Sequence, residues 1–397
     1  MRRSNLAGCE SLPGLPSSHI TKQKMSNKRI LVTGGAGFVG SHLVDALLKR
    51  GHQVRVFDNL TPQVHGDGVP AYFPREVEFV QRDMRQQEHL REALRNIDVV
   101  FHLAAAVGVG QSMYEIAHYM GANTQGTANL LQALLDTRCR VEKLIVASSM
   151  SIYGEGQYAC PACGKMAPQP RPLSQLKRKT WEVLCPRCGS ELQPVPTDES
   201  KPLQATSIYA LSKKDQEEMV LLFGRTYQVP AVALRYFNIY GSRQSLSNPY
   251  TGVAAIFASR LMNGQPPLVF EDGMQKRDFV SVHDVVAANV LAMERTQADG
   301  MALNIGSGKP ITIRDVAAEL ARALGTETAP QITGKYRAGD IRHCFADIAA
   351  AEQMLGYHPE IKFGEGIQEL VQWLGSQKAV DRSAEAVERL TSYGLAA

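Results

Sequence analysis

From residue 28 the chain alternates between near-continuous apolar runs and stretches whose apolar residues recur with a helical period. RILVTG (29–34), QVRVFD (53–58), VEFVQ (77–81), DVVFHLA (98–104), KLIVAS (143–148) and AVALRYF (231–237) read as strands. FVGSHLVDALLKRG (38–51), closed by Gly51, reads as an amphipathic helix, and further helices are expected around 86–95, 122–136 and 208–227. Strands this rich in Val, Ile and Leu are apolar on both faces. Separated by helices, they predict an α/β fold with a doubly wound parallel sheet covered on both sides. From about residue 240 the pattern breaks into loops and turns such as NGQPPLVFEDG. The expected organisation is a first domain over 28–240, a smaller substrate lobe over 241–375 that shares sheet elements with it, and a polar helical tail over 376–397 with no evident role.

Composition narrows the class. A chain of 397 residues with 44% hydrophobic content can bury a full core, and a net charge of +4 gives no support for a nucleic-acid or acidic-membrane partner. No run approaches the ~20 apolar residues of a spanning helix. The first 24 residues, MRRSNLAGCESLPGLPSSHITKQK, lack an apolar signal-peptide core and are rich in Ser, Pro and Gly. Residues 1–27 are expected to be a disordered tail, with Met25 the natural initiator and a transit peptide the alternative. Four of the seven cysteines fall in two pairs, and Cys9, Cys139 and Cys344 are isolated. That is too sparse for a secreted disulfide scaffold and fits a reducing, cytoplasmic location.

The first strand runs into TGGAGFVGSH, in which Gly34, Gly37 and Gly40 are spaced to turn a strand into a helix. Glycines let the backbone turn tightly and approach a ligand, and the helix N-terminus offers unpaired N–H groups to a pyrophosphate. The second strand ends at Asp58, where a carboxylate accepts ribose hydroxyls and repels a 2′-phosphate, so NAD is favoured over NADP. Together these features predict a Rossmann-type dinucleotide site. In SIYALSKKDQEEM (207–219), Tyr209 and Lys213 are spaced to share one helix face. A cation beside a phenol stabilises phenolate, which makes Tyr209 a candidate general base with a lowered pKa.

TGGAGFVG, FHLAA, ASSMSIYG, YALSK and LRYFNIYG, in that order, resemble the extended short-chain dehydrogenase/reductases, and among them the NAD-dependent nucleotide-sugar epimerase/dehydratase family. The resemblance runs from about 28 to 375 and is interrupted by the Cys-rich segment. It implies tightly held NAD, a homodimer built on the helices around 122–136 and 208–227, and a set of roles. Ser149, five residues before Gly154, completes a Ser149–Tyr209–Lys213 catalytic set, with Ser148 behind it. Phe38, Val39 and Asn59 join the glycines and Asp58 at the cofactor, Asp83 and Met84 hold adenine, Ala104 and Ala105 approach backbone-first, and Asn123 lies beside the active site. Tyr236, Phe237 and Asn238 fall between nicotinamide and sugar. Arg277 and Arg337 clamp the substrate diphosphate, with Asp340 near the nucleoside ribose.

The resemblance also bears on the reaction. Family members that dehydrate or decarboxylate carry an acid just after the active-site Ser, whereas this chain has Met150 and Ser151. An NAD-dependent 4-epimerase needs no such acid. It passes through a transient 4-keto sugar. Many UDP-galactose 4-epimerases have a Lys where this chain has Val107, while AAVGVGQSMYEI and the Cys-rich insert resemble a bacterial subgroup acting on dTDP-L-rhamnose. The favoured substrate pair is dTDP-L-rhamnose/dTDP-6-deoxy-L-talose, with a UDP-hexose 4-epimerase or a reductase or dehydratase of the same family as alternatives. A regulatory binding protein is disfavoured because Tyr209 and Lys213 both stand.

Cys160-x-x-Cys163 and Cys185-x-x-Cys188 are separated by 21 residues, and each pair is followed by Gly. That spacing is close to a zinc-ribbon template, so residues 157–195 are expected to be an insert folded by structural zinc in an all-Cys, closed site. Its place between Ser149 and Tyr209 predicts a lid or wall at the sugar pocket or dimer edge. The KRK run at 177–179 reads as a solvated face, and His102, His283 and His343 as packing or hydrogen-bonding residues.

Overall fold

A computed structural model describes residues 27–66, 68–337 and 339–396. The expected disordered tail falls almost wholly outside them. Seven strands form the main sheet: β1 (Arg29–Thr33), β2 (Gln53–Asp58), β3 (Glu78–Gln81), β4 (Val99–His102), β5 (Lys143–Ser149), β6 (Ala231–Tyr236) and β7 (Ala302–Ile305). All pair in parallel, in the order β3-β2-β1-β4-β5-β6-β7.

Residues alternate between two cores. Along β1, Ile30 and Val32 join Leu43, Val44 and Val56 on one face, while Leu31 joins Phe57, Val100 and Leu130 on the other. Both faces of the central strands are therefore dry, which is why β1, β4 and β5 carry no polar alternation. The chain reverses direction along the sheet between β1 and β4, and a crevice opens beyond the strand C-termini there.

The smaller lobe builds its own sheet. Asn238–Tyr240 pairs in parallel with Lys276–Ser281, which pairs antiparallel with Pro310–Thr312 and in parallel with His343–Cys344. β7 then returns to the main sheet. The insert forms a separate antiparallel sheet of Gln157–Cys160 between Gly164–Met166 and Gln193–Val195, over a small core of Tyr158, Val183 and Leu192.

The helix expected at 122–136 starts as a wide π-type turn, Met120–Gln125, and becomes α-helical over Gly126–Asp136. Such turns often sit at functional sites because they re-aim side chains. The helix Ile208–Tyr227 agrees with expectation, its N-cap Ser207 accepting from the Ala210 N–H. Within the tail, Ser383–Ser392 is a helix. Among the described residues no helix is long and apolar enough to cross a membrane.

Candidate active site

A cleft of about 670 Å³ opens at the crevice beyond the β-strand ends. At its floor Gly34 adopts φ +70°, and a Cβ there would lie 2.7 Å from the Ala104 nitrogen. A Cβ on Gly40 would lie 2.2 Å from the Gly34 carbonyl oxygen, so the helix Phe38–Lys49 can close on the turn only through glycine. Ser41 donates to the Gly37 carbonyl, and Phe38, Val39 and Gly40 ahead of it line the cleft. Asp58 is buried at the end of β2, its two oxygens accepting from the Ala36 N–H at 3.1 Å and the Leu60 N–H at 2.9 Å. Each oxygen keeps a lone pair for a hydroxyl. A glycine cradle that any Cβ would fill, a helix start and this carboxylate fit a dinucleotide such as NAD.

Along one wall, Asn59 donates to Asp83, and Arg85 pairs with Asp83 through two nitrogens at 2.8 and 2.9 Å. These contacts hold the Asp83 carboxyl well below its ordinary range, Arg85 contributing most. Met84, Ala104, Ala105 and Tyr236 also line the cleft. His65, in the turn after β2, stands 3.7 Å from Asp58. Neither His65 nor Arg85 was anticipated from sequence.

Ser149, Tyr209 and Lys213 line this same cleft. Ser149 ends β5, and its Oγ accepts from the Ser151 N–H at 3.2 Å and the Ser151 hydroxyl at 3.0 Å. Lys213 does not donate to the phenol. Its Nζ donates to Gln216 Oε1 at 2.8 Å, and the Gln216 amide donates to Thr127 Oγ1 at 2.8 Å and meets His102 Nε2 at 3.2 Å. Burial lowers the His102 pKa to about 3, so the imidazole is a neutral bridge between Thr33 and Thr127.

The expected lowering of the Tyr209 pKa is replaced by a rise, and its cause is burial and not Lys213. Burial raises the Tyr209 phenol above its usual value, against a hydrogen-bond contribution from Ser149, and burial lowers the Lys213 ammonium to about 7. In a dry cleft burial penalises the charged form of each group.

Two further residues tie the site to the scaffold. Asn123 is fully buried with both ends of its amide occupied. Its Oδ1 accepts from the Ala106 N–H at 2.7 Å, and its Nδ2 donates to the Ala106 carbonyl and the Ser212 hydroxyl. It braces the loop after β4 from behind and is not among the residues that line the cleft. Ser148 donates its hydroxyl to Glu217 at 2.6 Å, and Glu217 pairs with Arg235 of β6. Ser148 lines the cleft, and its hydroxyl joins the Ile208–Tyr227 helix to the sheet.

In the outer part of the cleft, Asn238 presents a buried Oδ1 without a partner, and Gln244 and Gln275 each present a buried Oε1 in the same condition. Arg277 donates to the carbonyls of Arg342 at 2.8 Å and Ile341 at 2.6 Å. Arg337 pairs with Asp340 at 2.8 Å and lies over the Phe270 ring. The Asp340 carboxylate thus positions arginine. Asp58, Asp83 and Asp340 are the acids lining the cleft among the described residues, and Met150 and Ser151 line it beside Ser149. The tail acquires a place here too. Val387, Leu390 and Leu395 line the cleft, and Tyr393 stacks on Tyr114 at 4.9 Å between centroids.

The insert is not a wall of the cleft. Residues 157–195 contribute nothing to the cleft lining. The module backs onto the 340–343 segment, of which Asp340 and Ile341 line the cleft. Its four cysteine sulfurs lie within 4.8 Å of one another. Hydrogen bonding with Ser190 pulls the Cys188 thiol down to about 6, while desolvation and the neighbouring thiols push Cys163 up to about 12. Four cysteine sulfurs gathered this closely form a donor set suited to a thiophilic divalent cation. His102, His283 and His343 all serve hydrogen bonds, as expected.

Comparison with known proteins agrees with this geometry. The model of the NAD dependent epimerase/dehydratase family matches residues 30–175, and that of GDP-mannose 4,6 dehydratase matches 189–370. A dTDP-L-rhamnose 4-epimerase of Burkholderia thailandensis is 32% identical over 363 residues, 91% of this chain and 98% of that one. The chain belongs to the NAD-dependent epimerase/dehydratase family. Within it, a UDP-glucose 4-epimerase of Mycolicibacterium smegmatis is 30% identical over 347 residues, covering 87% of this chain and 98% of its own. The crystal structure of Thermus thermophilus UDP-glucose 4-epimerase complexed with NAD superposes with a TM-score of 0.70 at 31% identity, covering 88% of this chain and 100% of that one. These relatives are isomerases by name.

Proposed function

We propose that this protein is a nucleotide-sugar 4-epimerase that works with tightly bound NAD. The observation that carries the reading is the meeting of Ser149, Tyr209 and Lys213 with the glycine cradle in one cleft whose carboxylates are all elsewhere engaged. A dehydratase needs an acid at the sugar, and Met150 and Ser151 supply none.

Gly34, Gly37, Phe38, Val39, Gly40 and Asp58 would hold the dinucleotide. NAD, when bound, takes up hydride from a sugar carbon and gives it back. Tyr209 removes the proton of the carbon-4 hydroxyl and later returns it. Ser149 donates a hydrogen bond to the same oxygen, and a charged Lys213 favours the phenolate over the neutral phenol. Arg277 and Arg337 hold the diphosphate while the keto sugar turns its other face, so the configuration inverts without net redox change. The unpartnered oxygens of Asn238, Gln244 and Gln275 accept from substrate hydroxyl or N–H groups.

The substrate pair assigned is dTDP-L-rhamnose/dTDP-6-deoxy-L-talose, supported by the Burkholderia relative. A UDP-hexose is the second reading, supported by UDP-glucose 4-epimerases of nearly equal identity. Zinc in the Cys160–Cys163–Cys185–Cys188 set is a structural ion folding the insert. A homodimer is supported by Leu211 and Leu222, three turns apart on one stripe of the Ile208–Tyr227 helix and both exposed.

The test incubates purified protein, without added cofactor, with a panel of UDP-, GDP- and dTDP-sugars and reads products by NMR. Interconversion of two carbon-4 epimers is expected. A product formed only with stoichiometric NADH would overturn the reading in favour of a reductase.

A further inference from the structure

The cysteine module sends one side chain deep into the substrate lobe. Arg171 lies between its two cysteine pairs, and its side chain is 1% exposed. Its guanidinium pairs with Glu271 through two nitrogens at 2.8 and 3.0 Å and donates to the Asp340 carbonyl at 3.2 Å. The other end of Asp340 holds Arg337 through Nε at 3.1 Å and Nη2 at 2.8 Å. Inside the module, the same guanidinium donates to the Trp181 carbonyl at 2.9 Å. One cation therefore joins the module, Glu271 of the lobe and the residue that aims Arg337.

A second tether runs parallel. Glu182 of the module accepts from Arg342 at 2.6 Å and meets His343 at 2.9 Å. Arg277 is oriented by the carbonyls of Ile341 and Arg342. Both arginines at the outer cleft therefore take their direction from a segment that is itself fixed from behind by the module.

We propose that Arg171 is a positioning residue for nucleotide-sugar binding: through Glu271 and Asp340 it transmits the fold of the cysteine module to Arg337 and Arg277. The module thus governs substrate affinity without touching substrate. This rests on the reading that Arg277 and Arg337 grip the diphosphate. Buried ion pairs fix geometry more dependably than they add stability, and a planar guanidinium that bridges three partners cannot be replaced by an ammonium.

The test uses R171M and the charge-balanced R171M/E271Q, in which Arg342 keeps Glu182 and Asp272. R171K tests the need for the fork. For each, the affinity for UDP and dTDP is measured by calorimetry, with KM and kcat for the turned-over sugar and the NAD retained on purification. The proposal expects nucleoside diphosphate affinity to fall about 10-fold, the scale of a typical coupling between sites. KM should rise in step, with kcat within about 2-fold and NAD retained, and R171K should recover only part of the loss. Unchanged affinity in both Met variants would overturn it, as would a joint loss of affinity, kcat and NAD that marks general unfolding. Direct nucleotide binding keeps this result separate from the epimerase reading: a wild type that binds UDP or dTDP yet epimerises nothing defeats that reading alone.

Discussion

Lys213 Nζ donates to Gln216 Oε1, one turn along the same helix, and Gln216 passes the connection to Thr127 and His102 beneath the β4 end. The lysine one turn after Tyr209 is thus held by a neutral, fully buried amide. Gln216→Leu should leave Lys213 and Thr127 short of partners and cost about 1–3 kcal/mol of stability. Chemical denaturation checks the cost, and a KM-against-kcat comparison should place the kinetic loss in kcat.

Tyr209→Phe removes the proton carrier and keeps the ring that packs against Tyr119. Turnover should fall by about 100- to 10,000-fold, the usual share of general acid–base catalysis. Bound NAD and thermal midpoint should hold. An unimpaired variant would place the base on another residue.

Lys213 carries a folded-state pKa lowered to about 7 by burial. Between that value and its unfolded value near 10.5 the unfolded chain binds the extra proton, so the lysine's penalty on folding shrinks as pH rises through this window. Lys213→Met should therefore raise stability most at or below pH ~7 and progressively less toward pH ~10. It should also cut kcat by about 100-fold or more. Urea denaturation at several pH values reads the first effect and product NMR the second.

Asn123→Ala deprives the Ala106 N–H, the Ala106 carbonyl and the Ser212 hydroxyl of one partner in the interior. We expect a loss of about 1–3 kcal/mol and a faster release of NAD, since Ala104 and Ala105 of the same loop line the cleft. Urea denaturation and the NAD content after dialysis measure the two.

Leu390 packs 3.1 Å from where a Cβ on Gly110 would lie, with Arg389 over the Tyr114 ring. Leu390→Asp should lift the terminal helix off the cleft and raise KM roughly 10-fold, the scale of one well-packed apolar anchor. Steady-state kinetics check it, and an unchanged KM would make this helix a bystander.

Features dictated by local backbone chemistry were readable in the chain. The turn through Gly34, Gly37 and Gly40 demands residues without a Cβ, and Tyr209 and Lys213 share a helix face by spacing alone. Gln216 lies on that face as well and could have been found by extending the same count. Long-range partners were not readable. Arg171 and Glu271 are separated by 100 residues, and neither neighbourhood announces the other. The sign of the Tyr209 shift also escaped, because spacing reports which groups are near one another and says nothing of how much water surrounds them. Asn123 shows the same limit: the π-type turn that points its amide at Ala106 is set by packing, and a helical period cannot express it.

The module is spliced into the chain between Ser149 and Tyr209, two residues that line one cleft. Its stem is already stitched together where Gln157 donates to the Thr197 hydroxyl. Once the cysteine cluster gathers this segment into a compact knot, the length of loose chain to be closed during folding shrinks, and with it the entropic toll of bringing the two hydroxyls together. How quickly the four sulfurs gather would then set how quickly a newborn chain closes its cleft.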